Sequence, residues 1–445
     1  MARLRCPVSL VAYLQPTPAI PRTGPRARHR AGDRAARLGD KASSGGNGFV
    51  FRGYVGTVRD EPTAPTEARA AATADAAFGA DMYQVLAENA ADMVFSPASV
   101  AGALRMALAG ACGQTAAELA RALHLDGSLG PDVATDGLHL AGGPGEGGGG
   151  PGEGATLRAP NTVWVQSGLA LRAEFTGRLS RAAAALAEAD FATAPEAARA
   201  EINRVIATQT EGKITGLLPP DAVDPLTRLV LASAVYLKAE WAQPFPESAT
   251  ADAPFYPEGR DGPALSVPMM RLTSPLAYLR GDGYQAALLP YRGIGLAMAV
   301  LLPDGPMAAL RPKVAAAGLG GLLAGASRHR VALSLPRFRL EAAFDLIPAL
   351  RRLGVTEAFG DRADFGGITD TEPLKIGAVA HKAYIDVNEQ GTEAAAATAV
   401  LAVALAAFAT PPVAMTVDRP FLFAIVDTAT GLPLFLGQVS RPRSG

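Results

Sequence analysis

Only two of the 445 residues are cysteine, Cys6 and Cys112, and only five are histidine. Two cysteines exclude a disulfide-framed scaffold. With so few histidines, and with no Cys-x-x-Cys or His-Glu-x-x-His spacing, little remains for a structural zinc site or a zinc hydrolase. Lysine is scarce too, six against 35 arginines. Alongside abundant alanine, glycine and proline, that is the composition of a GC-rich genome and carries no function. An excess of charge of either sign is also missing: 41 Lys+Arg face 42 Asp+Glu, a formal net of -1. This excludes a general polyanion binder, and nucleic acid is not an expected partner. No Gly-x-Ser-x-Gly elbow and no nucleophile–base arrangement points to an enzyme.

What is present is a globular balance, 49% hydrophobic and 19% charged. Residues 1–41 hold nine basic and two acidic residues, a net of +7 that leaves -8 for the remainder. Arg22 to Arg37 carries six arginines with no apolar period and reads as disordered. Val8–Leu14, after Arg3 and Arg5, is a short apolar run without an Ala-x-Ala cleavage site, so a secretory leader is not assigned. Residues 1–69 are read as an extension and 70–443 as the folded domain. Periodic structure begins near Thr66, and Phe78, Met82, Val85 and Leu86 fit an amphipathic helix over 67–90. A second helix is expected after Phe95, with Ser96 capping and Pro97 in its first turn. A third covers Leu119 and Leu123. Residues 142–154, nine glycines in thirteen, lack the Gly-Lys-Ser/Thr of a phosphate loop and read as a surface insertion. Residues 197–209 read as a helix. Strands are expected at 162–166, 230–237, 286–289, 296–302, 331–335, 381–388 and 421–426. Helices come mostly early and strands mostly late, which argues for α+β rather than alternating βαβ units.

Residues 389–409 stand apart. After Glu389-Gln390-Gly391-Thr392-Glu393 comes an alanine-dominated run from Ala394 to Ala409, and no charge occurs from Ala394 through Val417. Propensity alone offers a buried helix. Sixteen weakly apolar residues fall short of the ~20 a membrane span needs. Plain low complexity is a third reading, and periodicity does not choose between helix and strand.

Here the chain resembles the serpin family, over roughly residues 70 to 443. The resemblance is carried by Val94 to Val100, by Asn203, Thr210 and Gly212-Lys213-Ile214, and by Leu229 through Tyr236 with Trp241. Val267 to Met270, Leu335-Pro336-Arg337-Phe338, His381 to Ala383, Glu389 to Ala394, Asp418 to Phe421 and Pro433 to Gly437 follow in order. The resemblance implies an α+β fold of three β-sheets with about eight to nine helices and an exposed C-terminal reactive loop. It also implies a suicide-substrate inhibitor of bacterial type, whose loop, once cut by a serine protease, inserts as a sheet strand.

Several site residues follow from that resemblance. The hinge would be Glu389, Gln390, Gly391, Thr392, Glu393, Ala394, Ala395, Ala396, Ala397 and Thr398. An inserting strand buries alternate side chains; from Thr392 these would be Thr392, Ala394, Ala396, Thr398, Val400 and Ala402, none of them charged or proline. Counting from Gly391 puts the scissile bond at Leu405–Ala406, with Phe408–Ala409 as the alternative. A leucine there implies a chymotrypsin-, elastase- or subtilisin-like target. Ser96, Ser99, Ser233 and His381 would form a buried polar cluster behind the opening strands, although the family usually has asparagine at the position of Ser233. Trp241, Arg337 and Glu389 would sit where the loop enters, with Arg337 pairing Glu389. The partner implied is a serine protease held as a covalent acyl complex. The protein itself would be a monomer with a loop-to-sheet polymerisation hazard, with no cofactor and no membrane partner. A basic heparin helix would fall near 142–154, where no Lys or Arg occurs. Cys112 is expected as a buried thiol. An extracellular and a cytoplasmic setting stay equally open. The competing readings are a non-inhibitory carrier or chaperone of the same fold and an inhibitor of a cysteine protease.

Overall fold

The computed structural model describes residues 66–88, 90–125, 155–181, 184–392 and 411–443. Helix α1 (Thr66–Leu86) leads through β1 (Met93–Phe95) to α2 (Pro97–Leu108) and α3 (Gly113–Ala122). Next come β2 (Thr156–Arg158), β3 (Asn161–Gln166), α4 (Ala173–Arg181), β4 (Ala185–Ala189) and α5 (Pro195–Gln209). The long β5 (Leu229–Glu240) precedes β6 (Ala251–Phe255), β7 (Leu265–Gly281), β8 (Tyr284–Pro290) and β9 (Leu296–Pro303). Helix α6 (Arg311–Leu323) separates these from β10 (Ser327–Pro336) and β11 (Phe338–Asp345). After α7 (Ile347–Arg352) come β12 (Ala378–Val387) and the two-residue β13 (Gly391–Thr392). The chain closes with β14 (Val413–Thr416), β15 (Phe421–Asp427) and β16 (Pro433–Val439).

Local chemistry accounts for the element that matters most. Ser96 is extended, and its side-chain oxygen accepts from the Ser99 N–H at 3.1 Å, while Pro97 fills the first turn of α2. Such a cap is worth about 1 kcal/mol. Alanine and glycine along α2 let it be buried from Pro97 to Ala107, as a helix apolar on all sides must be. Its one charge there, Arg105, donates to Asp75 of α1 at 2.9 Å. Helix α2 packs on β3 and β5 on one side and on β16 on the other, so it separates two sheets.

The first sheet runs β11-β12-β13-β5-β3-β4, with β2 also on β5. Residues Leu229 to Leu237 of β5 are all buried, the pattern of a strand covered on both faces. The other strands form one hydrogen-bonded network, β1-β16-β15-β9-β8-β7-β10-β14, with β6 on β7. Strand β7 pairs β6 and β10 along Leu265–Tyr278, then β8 along Ala277–Gly281. Two of the three expected sheets are thus continuous through one 17-residue strand. Seven α-helices occur among the described residues, against the eight to nine expected. Helix α1 begins at Thr66, inside the stretch counted with the extension. Cys112 is buried as expected. No helix among the described residues is long and apolar enough to cross a membrane.

Candidate functional site

Strands β12 and β5 lie parallel and directly paired from Ala378↔Val230 to Tyr384↔Tyr236. Beyond that point they part, and β13 fills the gap. The chain leaves β12 and reverses at Asn388, whose Oδ1 accepts from the N–H groups of Gln390 and Gly391 at 2.9 and 3.2 Å. It returns between the two strands, Gly391 opposite Glu240 and Thr392 opposite Ala239 on one side and Val387 on the other. Only glycine fits at 391. A Cβ there would stand 2.0 Å from the Ala239 carbonyl oxygen and 2.7 Å from the Glu240 Cα. The approach is backbone to backbone, and neither side can yield.

The turn is held from below and from both flanks. The Trp241 indole donates to the Asn388 carbonyl at 3.0 Å, and its backbone N–H donates to the Gln390 carbonyl at 2.8 Å. Trp241 stacks on Tyr291, with ring centroids 4.6 Å apart and planes at 18°. The Tyr291 and Thr392 hydroxyls are hydrogen-bonded at 2.6 Å. Glu389 is 3% exposed. Its carboxylate accepts from Arg337 Nε at 2.7 and 2.8 Å and from the Thr250 hydroxyl at 2.6 Å. Burial pushes this carboxyl up, but the Arg337 and Thr250 hydrogen bonds outweigh it and hold it below the usual carboxylate range. Gln390 reaches Glu247 at 2.7 Å.

Lower in the same sheet lies a buried polar chain. The Ser96 N–H donates to His381 Nε2 at 3.0 Å, so that nitrogen carries no proton. A neutral imidazole then bears its proton on Nδ1, 3.0 Å from the Ser233 hydroxyl. With Ser233 accepting from His381, its own proton points to Ser99 Oγ at 2.9 Å. Ser99 in turn donates to Asn161 Oδ1 at 2.7 Å. Every bond thus has one consistent direction, from His381 across β5 to β3. Burial pushes the His381 pKa down from 6.5 to about 3, which agrees with the neutral form that the geometry demands.

Ser96, Ser99, Ser233 and His381 therefore converge, as do Trp241, Arg337 and Glu389. Two members were not read from the sequence. Asn161 opens β3 directly opposite Ser233, so an asparagine amide still reaches the cluster, but from the neighbouring strand. Its Nδ2 is buried and has no partner. The only signal available was a polar residue ending Pro160-Asn161 before an apolar strand. Tyr291 lies 101 residues from Thr392 in the chain, and nothing local marks it. Glu393, Ala394, Ala395, Ala396, Ala397 and Thr398 lie outside the described residues, as do both candidate bonds, Leu405–Ala406 and Phe408–Ala409. Downstream of them, β14 lies parallel to β10, and Asp418 is paired by Arg260 and Arg419 at 2.6 and 2.8 Å.

A family model described as serpin (serine protease inhibitor) matches residues 73–442. A serpin-like protein of Thermococcus kodakarensis is 38% identical over 375 residues, covering 83% of this chain and 85% of that relative. The leukocyte elastase inhibitor of Sus scrofa is 35% identical over 389 residues, covering 83% of this chain and 98% of its own. Among solved structures, Serpin48 of the insect Tenebrio molitor superposes with a TM-score of 0.73 at 28% identity, over 85% of this chain and 100% of that one. Human thyroxine-binding globulin, complexed with thyroxine, superposes with a TM-score of 0.74 at 26% identity, over the same shares of the two chains.

Proposed function

The chain belongs to the serpin family of protease inhibitors, and from that premise we propose that it is an irreversible suicide-substrate inhibitor of a serine protease with an apolar primary pocket. One observation carries the reading. Thr392, the first residue of the inward-facing set, is 0% exposed and seated between β5 and β12. In this reading the protease serine attacks the Leu405 carbonyl. The Leu405–Ala406 peptide bond breaks, an ester to the protease forms, and the Ala406 amine leaves with a proton. The freed segment then extends β13 downward, antiparallel to both neighbours. To admit it, β5 and β12 must exchange their seven parallel Cα partners for partners on the new strand. Ala394, Ala396, Thr398, Val400 and Ala402 would face the interior, and their small size keeps overpacking low. An elastase-like target gains support from the elastase inhibitors at 35 and 34% identity. The partner is thus a protease held as an acyl complex, and the inhibitor is a monomer whose open sheet can accept a neighbour's loop.

The test is incubation with chymotrypsin, elastase and subtilisin, followed by a denaturing gel and mass spectrometry of the released peptide. A denaturant-resistant complex and a peptide beginning at Ala406 are expected. A peptide beginning at Ala409 would move the bond to Phe408. Cleavage with neither a complex nor a gain in thermal stability would overturn the inhibitor reading in favour of a carrier.

A further inference from the structure

We infer that Tyr291 is a positioning residue that latches the hinge at Thr392, the last residue of β13, before any protease arrives. Thr392 is 0% and Tyr291 3% exposed, and their hydroxyls are paired at 2.6 Å. The tyrosine does not belong to the sheet that the hinge enters. It follows β8 at the turn into β9, fixed by its N–H to the Leu296 carbonyl at 2.9 Å and by an isolated bridge to Trp241. Its ring is further clamped against the Trp241 indole, which itself binds the Asn388 carbonyl. One phenol hydroxyl therefore ties the second network to the mouth of the first sheet. The groups facing it are the Thr392 hydroxyl and the Trp241 ring, and Glu389 is committed to Arg337 and Thr250.

Seating Thr392 has two opposed effects on the proposed reaction, and the inference rests on that reading for its kinetic consequence. It withdraws one residue from the loop that a protease must grasp, which slows docking. It also completes the first pairing of the inserting strand, which speeds insertion once the loop is cut. The latch thus sets the partition between trapping the protease and being consumed as its substrate.

The experiment compares Tyr291→Phe, Thr392→Val and the double variant with the full-length wild type. Without protease, amide exchange of the peptide spanning 388–392 is followed by mass spectrometry. Losing one neutral hydrogen bond, about 1 kcal/mol, corresponds to roughly fivefold faster exchange. With protease, association should quicken by a similar factor while more inhibitor is consumed per protease trapped. The double variant should match either single one, because both remove the same bond. Thr392→Ser, which keeps a hydroxyl, should restore the wild-type values. Unchanged exchange in Tyr291→Phe, or effects that multiply in the double variant, would overturn the latch. The exchange measurement involves no protease, so a chain that traps nothing can still show the latch, and the two readings fail separately.

Discussion

At the scale of single residues, His381 makes a prediction with a definite sign. Its pKa is pushed down from 6.5 to about 3, so in that interval the unfolded chain binds a proton that the folded one refuses. Stability present above pH 6.5 is then lost as pH falls, at about 1.4 kcal/mol per pH unit. Protonation would also turn Nε2 into a donor facing the Ser96 N–H, a repulsive contact. Glutamine keeps one acceptor and one donor without titrating. Between pH 6.5 and 5, urea unfolding of the wild type should therefore weaken by about 1.4 kcal/mol per pH unit relative to His381→Gln. Parallel profiles for the two proteins would mean the imidazole does not carry the proton linkage. The residues of this cluster show what a sequence reveals at this scale. Ser96 and its proline were legible because capping is local chemistry. Asn161 and Tyr291 were not, because each matters only through a partner that sheet register or a crossing strand brings near.

At the scale of elements, the proposed hinge is a strand at Gly391–Thr392, and its legibility was mixed. Of the inward-facing set that the resemblance implied, Thr392 is buried, and the rest lies outside the described residues. The close approach that requires glycine at 391 could not be read, because it depends on the Ala239 carbonyl of another strand. The slot also makes Thr392 intolerant of charge. Both strand neighbours are in place and the residue is 0% exposed. An arginine there would either strand a cation in an apolar site, costing several kcal/mol, or hold the hinge out of the sheet. Thr392→Arg should therefore still be cut at the same bond but form no stable complex, consuming many inhibitor molecules per protease lost. Titration of residual protease activity against inhibitor concentration gives that ratio directly. A ratio near one would show that insertion does not need this position.

At the scale of the whole molecule, the proposed reaction would place a new strand between β5 and β12, which are now paired directly. Above Tyr236 and Tyr384, β5 and β12 are spread by Gly391 and Thr392; below, they close on each other in a parallel pairing. Parallel pairing is slightly less stable per residue than antiparallel pairing, and the incoming segment would be antiparallel to both strands. In the proposed reaction the uncut chain would be kept from this arrangement by its downstream anchor, where β14 pairs with β10 and Asp418 with Arg260. Cutting between the two anchors would remove that constraint, so on this reading the intact form is held by connectivity rather than by equilibrium. A nick in the loop by any protease should therefore raise the melting temperature of the nicked, uncomplexed protein. A net gain of about 5 kcal/mol corresponds to roughly 6 °C in a domain of about 370 residues. A synthetic peptide copying residues 392–402 should occupy the same place in the uncut protein, produce a similar rise and abolish complex formation. Scanning calorimetry of intact, nicked and peptide-loaded protein tests this. If nicking lowered the melting temperature, the sheet would have no place for the loop, and the parallel pairing of β5 with β12 would be its final state.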